Sequence, residues 1–350
     1  MATIKDVARL AGVGLGTASR AISGRGPVSA EALAKVNAAV ATLKFRPSSV
    51  ARALASKTRG MIGIYVPDFS GTFYGQILQT VDAELRAVDR HMVAANGCGH
   101  GDARQQALDG IHFLYERECD GVLVMSNGLT DDDFATLFER HPTLVLLNRR
   151  TPARPERCFS TDHELGGRLA ARALLHKGHR EIAFIGGPHS APDNEQRMAG
   201  FLDELARHKV RVPKRRRIDA DFSFDGGYAA AEKLLARAPR DYSALFCAND
   251  VMAMAAISCL GKLGIDVPGE LSVLGFDNSE LSRYTAPSLT TVNIPIVDAA
   301  ASACRFLLNQ CYELALPVVR EFAPEIVWRD SLGVGPRIHD DLVTPRGASD

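Results

Sequence analysis

A guanidinium fork or a carboxylate can hold two neighbouring hydroxyls, and an aromatic ring can cover the apolar face of a sugar. Side chains of these types recur after short apolar runs of this chain. Arg149 follows TLVLLN, Asn249 and Asp250 follow SALFCA, and Asp277 follows LSVLGF. Asp68, Phe73 and Tyr74 come after MIGIYVP, and Arg197 begins a helical stretch after REIAFIGG. Asp162 lies near the mid-chain break of the pattern. Ligands of open parallel sheets sit beyond the carboxyl ends of the strands, so these positions outline a candidate cleft. Each residue also has a plainer use. Asp68, Asp162 and Asp250 can cap helices, Tyr74 can belong to a core, and Arg197 can serve a structural ion pair. The run KRRR at 214–217 reads as a solvated loop.

Other chemistries lack their residues. There is no GxGxxG opening a helix, no GxxxxGK[ST] and no HExxH. The Gly186-Gly187 pair reads as a strand-to-helix turn, and no nucleophile-base pair suggests itself. Seven cysteines occur without a CxxC pair, which argues against a zinc site or a disulfide framework. No enzyme activity, metal or cofactor is expected. Reduced thiols, no apolar run near ~20 residues and no signal core predict a cytoplasmic protein without membrane contact.

A second kind of chemistry sits at the N-terminus. Residues 1–60 hold ten Lys/Arg against two acids, +8, and the remainder carries −8. A basic head on an acidic body points to a polyanionic partner for the head alone. Thr3 can cap a helix with Asp6 in a capping box, and Ile4, Val7, Ala8 and Ala11 share its face. Gly12 suits the left-handed residue that ends it. A second helix runs from about Leu15 to Ile22, with Ala18 and Ile22 inward. Gly14 is its weak cap. Ser29 caps a third, striped by Leu33, Val36, Val40 and Leu43. Three short helices on one small core fit a helix-turn-helix domain whose second helix enters the major groove of double-stranded DNA. Thr17 and Ser19 are candidates for phosphate contacts and Arg20 for a guanine edge. Leu15 can meet thymine methyls, and Gly16 lets the backbone approach closely. After Pro47, the weakly apolar SSVARALASKT is either a linker or a helix that forms on DNA, with Leu54 as a minor-groove wedge.

These residues need elements to hold them. MIGIYVP, HMVAANG, GVLVMS and TLVLLNR read as strands, with helices at 74–88, 103–117 and 131–140. REIAFIGG, SALFCAND and LSVLGFD continue the pattern, with helices at about 164–177, 195–208, 225–237 and 251–263. Two such sets predict an α/β body of two doubly wound parallel-sheet lobes meeting near Thr161. SLTTVNIP and VVREFAPEIVWRDS, extended and late, can carry the chain back between lobes. The domains expected are 1–46 (all-α head), 47–59 (hinge), 60–330 (effector-binding and dimerisation body) and 331–350 (a disordered tail). The tail has no leucine heptad, so a homodimer rather than a tetramer is expected.

The head sequence IKDVARLAGV…TASRAIS…VS…RPSSVARAL resembles the lactose-repressor family of bacterial transcription regulators. KGHREIAFIGG, NEQRMAGF, FCANDVMAMAAI and VPGELSVLGFDNSELSRYTAPSLTTV resemble its effector domain, most of all in the galactose-repressor subgroup. The resemblance implies a dimeric repressor on a palindromic operator, hinge helices that insert a leucine at its centre, and a body like periplasmic sugar-binding proteins. It implies DNA contact at Thr3, Leu15, Gly16, Thr17, Ser19, Arg20, Ser29, Arg52 and Leu54. It implies effector contact at Arg197, Asn249, Asp250 and Asp277, with Phe222 as a cleft aromatic beside Phe73, Tyr74, Arg149 and Asp162. A galactose-like hexose is the first candidate effector; a purine or phosphorylated corepressor is one alternative, and a sugar-binding protein without DNA activity is another. Two departures stand out: Gly14 replaces the usual Ser, and Asp162-His163 replaces a more usual Asp-Asn or Asp-Asp pair.

Overall fold

The structure is a computed structural model that describes residues 2–23, 26–45, 58–69, 71–97, 101–237 and 240–336. Most of the expected hinge, with Arg52 and Leu54, lies outside them. The chain divides into two compact units, residues 1–61 with 118–120, and the rest.

In the first unit three helices form: α1 (Ile4–Ala11), α2 (Leu15–Ser23) and α3 (Ala30–Thr42). Thr3 and Asp6 close the expected capping box, and Gly12 ends α1 at φ 64°. Ser29 caps α3 by accepting from the Ala32 amide at 3.2 Å. Val7, Ala8, Ala11, Ala18, Val36 and Ala39 are the buried core. Leu33 departs from its expected stripe and is 40% exposed. Small alanines bring the helices close, so the core closes over Val36 and leaves Leu33 at its edge.

The second unit contains two sheets. The first has strands β1 (Met61–Val66, of which Met61 belongs to the first unit), β2 (His91–Asn96), β3 (Gly121–Val124), β4 (Leu144–Leu147) and β5 (Cys158–Phe159). Their order is β2-β1-β3-β4-β5. Helices α4 (Thr72–Arg86), α5 (Ala103–Glu116) and α6 (Asp131–Arg140) connect them. The chain then enters the second lobe through α7 (His163–His176), β6 (Ile182–Gly186), α8 (Pro192–Arg207), β7 (Arg217–Asp219) and α9 (Phe224–Leu235). It continues with β8 (Ala244–Cys247), α10 (Asp250–Lys262), β9 (Ser272–Asp277) and β10 (Thr290–Asn293). Read from β7, the second sheet runs β7-β6-β8-β9-β10-β11, where β11 is Glu325–Val327. Both lobes thus repeat one winding order, reversing beside the first strand of each. That reversal is where doubly wound sheets bind ligands.

The late segments carry the chain back between lobes as expected, with a helix between them that the pattern did not suggest. Between them α11 (Ile296–Tyr312) buries Ala299, Ala303, Cys304 and Leu307 and packs on α4 and the first sheet. Only then does β11 (Glu325–Val327) return, antiparallel to β10. The chain therefore passes between lobes three times, and Thr161 Oγ1 on the first passage donates to the Phe322 carbonyl on the last at 2.6 Å. The expected disordered tail also starts too early. Ser331 is buried; its hydroxyl donates to the Val273 carbonyl at 2.7 Å and accepts from the Thr290 amide at 2.8 Å. The described chain remains packed as far as Gly335, whose amide donates to the Lys177 carbonyl at 2.7 Å. Nor is KRRR wholly solvated: Lys214 and Arg215 are exposed, but Arg216 is not. Arg216 is buried, paired with Glu181 and Asp241, in the short 3-10 turn that leads into β7.

Helices α7 and α8 meet through glycine. A Cβ on Gly167 would lie 2.0 Å from the Arg197 carbonyl oxygen, and one on Gly200 would lie 2.0 Å from that of Glu164. Only glycine permits backbones this close. The contact locks the N-terminal halves of both helices, which carry His163 and Arg197, against each other.

Candidate functional site

On the head, Leu15 is 46% exposed, and Gly16, Ser19 and Arg20 are also exposed while Thr17 is half-buried. Arg20 Nη2 donates to Thr17 Oγ1 at 3.5 Å, one turn away. The exposed face of α2 thus offers an apolar group, a bare backbone and a guanidinium in one row, which matches the mixed edge of a major groove. Thr3 and Ser29 spend their hydroxyls locally. Thr3 Oγ1 donates to Asp6 Oδ2 at 2.8 Å, and Ser29 Oγ caps α3.

In the body, Arg197 is the centre of a buried cluster of the candidate residues. The turn before α8 is pinned by Asn194, which accepts from the Gly187 amide at 2.9 Å and donates to the Gly187 carbonyl at 3.0 Å. One turn on, Arg197 is 2% exposed. Its guanidinium lies 3.8 Å from the Phe276 ring centroid and 5.9 Å from that of Phe222. It pairs with Asp277 at 3.6 Å and Asp193 at 3.9 Å and donates to the Ala248 carbonyl. Arg197 Nε and Asp277 Oδ1 are buried, and neither has a hydrogen-bond partner among the described residues. Burial, opposed by Arg197 and reinforced by Asp250 and Asp193, holds the Asp277 carboxyl well above the usual range.

Tyr74 brings the first lobe to this site. Its ring stands edge-on to Phe73 at 5.4 Å. Burial, then the fields of Asp193, Asp277 and Asp68, raise its phenol pKa. The ring of Tyr74 thus packs beside Phe73 while the fields of these carboxylates act on its phenol. Asn127 of the first lobe also reaches across, donating to Asp193 Oδ1 at 3.2 Å.

Four sequence-predicted residues stand differently. Asp250 is fully buried. Its oxygens accept from Thr291 Oγ1 at 2.5 Å and the Ser279 amide at 2.7 Å, and burial pushes its pKa up to about 6. It braces the loop after Asp277 from behind. The capping role considered for Asp250 belongs to Asn249, whose Oδ1 accepts from the Met252 amide at 2.9 Å while Nδ2 donates to the Phe222 carbonyl at 3.0 Å. Asn249 thereby sets Phe222, a left-handed residue at φ 67°. Asp162 is an exposed N-cap, accepting from the Leu165 amide at 2.8 Å. Arg149 pairs with Asp131 at 3.2 Å and lies over Phe134 at 5.5 Å. With Asn127, Thr130, Ser190 and Pro192 it lines a cavity of about 630 Å³ at the edge of the cleft.

Sequence reasoning missed Asp193 and Phe276, which flank Arg197. Asp193 had a usable signal, four residues before Arg197 on one helix face. Phe276 was hidden within an apolar strand.

Residues 3–48 match the family described as bacterial regulatory proteins, lacI family, and residues 171–332 match the periplasmic binding protein-like domain. The HTH-type transcriptional regulator GalR of Escherichia coli (strain K12) is 36% identical over 333 residues, spanning 95% of this chain and 96% of GalR. The HTH-type transcriptional repressor PurR of Vibrio cholerae serotype O1 is 33% identical over 335 residues, spanning 95% and 98%. The lac repressor dimer bound to operator and the anti-inducer ONPF aligns with a TM-score of 0.83 at 26% identity, covering 94% of this chain and 98% of that one.

Proposed function

Because this chain belongs to the lacI family of bacterial regulatory proteins, and is a DNA-binding transcriptional regulator rather than an enzyme, we propose that it is a dimeric repressor released from a palindromic operator by a neutral sugar. A galactose-like hexose is the first candidate. In this reading Arg20 reads a guanine edge and Leu15 a thymine methyl. Gly16 admits close backbone approach, while Thr3, Thr17, Ser19, Ser29 and Arg52 contact the DNA around them. Leu54 wedges into the operator centre. Sugar binding closes the cleft, shifts the lobes nearest the head and disfavours the paired hinge helices. Such coupling is typically worth ~1–3 kcal/mol, roughly 5–150-fold in operator affinity.

The observation that carries the choice of a neutral sugar is the charge state around Arg197. Two carboxylates already bracket that guanidinium. Arg149 is paired with Asp131, and Arg150 donates to the Ser160 carbonyl at 3.4 Å. A phosphorylated effector at Arg197 would meet Asp193 and Asp277, which already pair with that guanidinium. Sugar hydroxyls both donate and accept, so they suit Asp277 Oδ1 and Arg197 Nε together. Phe222 and Tyr74 supply the apolar cover. Similarity to PurR supports a second reading, a corepressor that tightens operator binding. Anisotropy titration of a selected operator, at fixed salt, with galactose, other hexoses, purines and sugar phosphates separates them. A neutral hexose that weakens binding supports the first reading, and a purine or phosphate that tightens it supports the second.

A further inference from the structure

His163, one of the two departures from the family pattern, occupies an unusual place. It is the first residue of α7, directly after the first passage between lobes, and its side chain is 1% exposed. Nε2 lies 2.8 Å from Asn148 Oδ1. Asn148 belongs to the first lobe, at the end of β4, in the left-handed region at φ 59°. On the other side, Nδ1 lies 3.5 Å from Arg197 Nη2, in the second lobe. The imidazole stacks near Phe276, with centroids 6.3 Å apart, the same ring that carries the Arg197 guanidinium.

The chemistry of the neighbours sets the proton. A guanidinium only donates, so Nδ1 must accept from Arg197. An amide oxygen only accepts, so Nε2 must carry the hydrogen and donate to Asn148. Burial, then Arg197, depresses the imidazole pKa to about 4, in keeping with a neutral ring. The result is a directional chain of hydrogen bonds, Arg197 to His163 to Asn148, running from the proposed effector arginine into the opposite lobe.

We propose that His163 is the positioning residue that couples effector binding at Arg197 to the relative placement of the lobes, through its two-sided hydrogen bond to Arg197 and Asn148. The proposal rests on the effector reading of the cleft given above. When a ligand draws on the Arg197 guanidinium, the imidazole follows it, and Asn148 with the end of β4 follows the imidazole. Asn and Gln separate the two bonds. The Oδ1 of Asn stands where Nδ1 does, so His163→Asn keeps an acceptor for Arg197 and loses Asn148. The Nε2 of Gln stands where the imidazole Nε2 does, so His163→Gln keeps the donor to Asn148 and leaves Arg197 without its acceptor.

The experiment measures two quantities on full-length wild type, His163→Asn, His163→Gln and Asn148→Ala. They are galactose affinity by calorimetry and the galactose-induced change in affinity for a selected operator by anisotropy. One buried hydrogen bond with its orphaned partner is worth about tenfold. His163→Asn and Asn148→Ala are expected to cut the operator response about tenfold, or abolish it, with a change in galactose affinity several times smaller. His163→Gln is expected to weaken galactose binding about tenfold. If His163→Asn misfolds, Asn148→Ala carries the same prediction alone. A galactose-responsive wild type whose Asn148→Ala variant keeps the full response overturns the relay. So do variants whose affinity and response fall in parallel, since that is what a ring that merely packs would give. A wild type that binds no hexose, seen before any variant is compared, overturns the effector reading and the relay with it.

Discussion

Gly167→Ala adds one methyl group at the place where the two helices carrying His163 and Arg197 touch. The added Cβ would lie 2.0 Å from the Arg197 carbonyl oxygen and 2.9 Å from the Phe201 amide nitrogen. Comfortable heavy-atom contact begins at about 3.5 Å, so α7 and α8 must separate by more than about 1 Å. Both obstacles are backbone, which cannot rotate aside. Overpacking of this kind costs about 1–3 kcal/mol, and the upper end applies here. Alanine's better helix propensity returns about 1 kcal/mol at most, which leaves a net loss of about 2 kcal/mol. At about 2–4 °C per kcal/mol for a domain of this size class, the body's melting transition should fall by about 4–8 °C. Gly261→Ala is the control. It lies in α10 with nothing within 4 Å of its added Cβ, so propensity alone predicts a gain of up to about 1 kcal/mol. Thermal melts followed by circular dichroism on both variants read the difference. A Gly167→Ala protein as stable as wild type would refute the close-packing argument, and with it the idea that glycine fixes Arg197 against His163.

Other expectations follow from the head and from titration. Arg20→Ala should cost about 1–3 kcal/mol of operator binding and relax preference at one base position; a repeat selection returning the wild-type base preference removes Arg20 from the readout. Leu54→Ala should weaken operator binding far more than random-sequence DNA binding, and equal losses on both would sink the wedge. His163 has a folded pKa of about 4, below its ordinary 6.5. Its neutral form therefore stabilises the fold fully above about pH 6.5, and that contribution is lost as pH falls toward 4. The shift corresponds to about 3 kcal/mol. Chemical denaturation of wild type against His163→Asn between pH 7 and pH 4 should show the gap closing; a constant gap would contradict the burial argument.

Much of the plan is legible in local pattern. The alternation of apolar runs and helical stretches locates both lobes because buried parallel strands need continuous hydrophobic sequence. Thr3, Gly12 and Ser29 announce their caps because capping is chemistry between near neighbours. What local pattern misses is set by distant partners. The segment 296–312 is helical and crosses to the other lobe because Ala299, Ala303 and Leu307 match the first sheet, a fact of topology. The polar pair Asn249-Asp250 looks alike in sequence, yet one residue caps α10 and the other disappears behind β9. His163 is visible as a departure but takes its meaning from Asn148 and Arg197, 15 and 34 positions away. Leu33 fits the helical stripe of α3 and still misses a core that small residues have drawn tight.

The most direct test of the account is one titration. Full-length protein is titrated onto a selected operator at fixed salt, with and without galactose, for wild type and Arg197→Ala. The account predicts a palindromic operator, weaker binding with galactose in the wild type by roughly 5–150-fold, and no galactose response in Arg197→Ala. An Arg197→Ala protein that responds to galactose like the wild type would contradict the central claim that this guanidinium and its two carboxylates hold the effector.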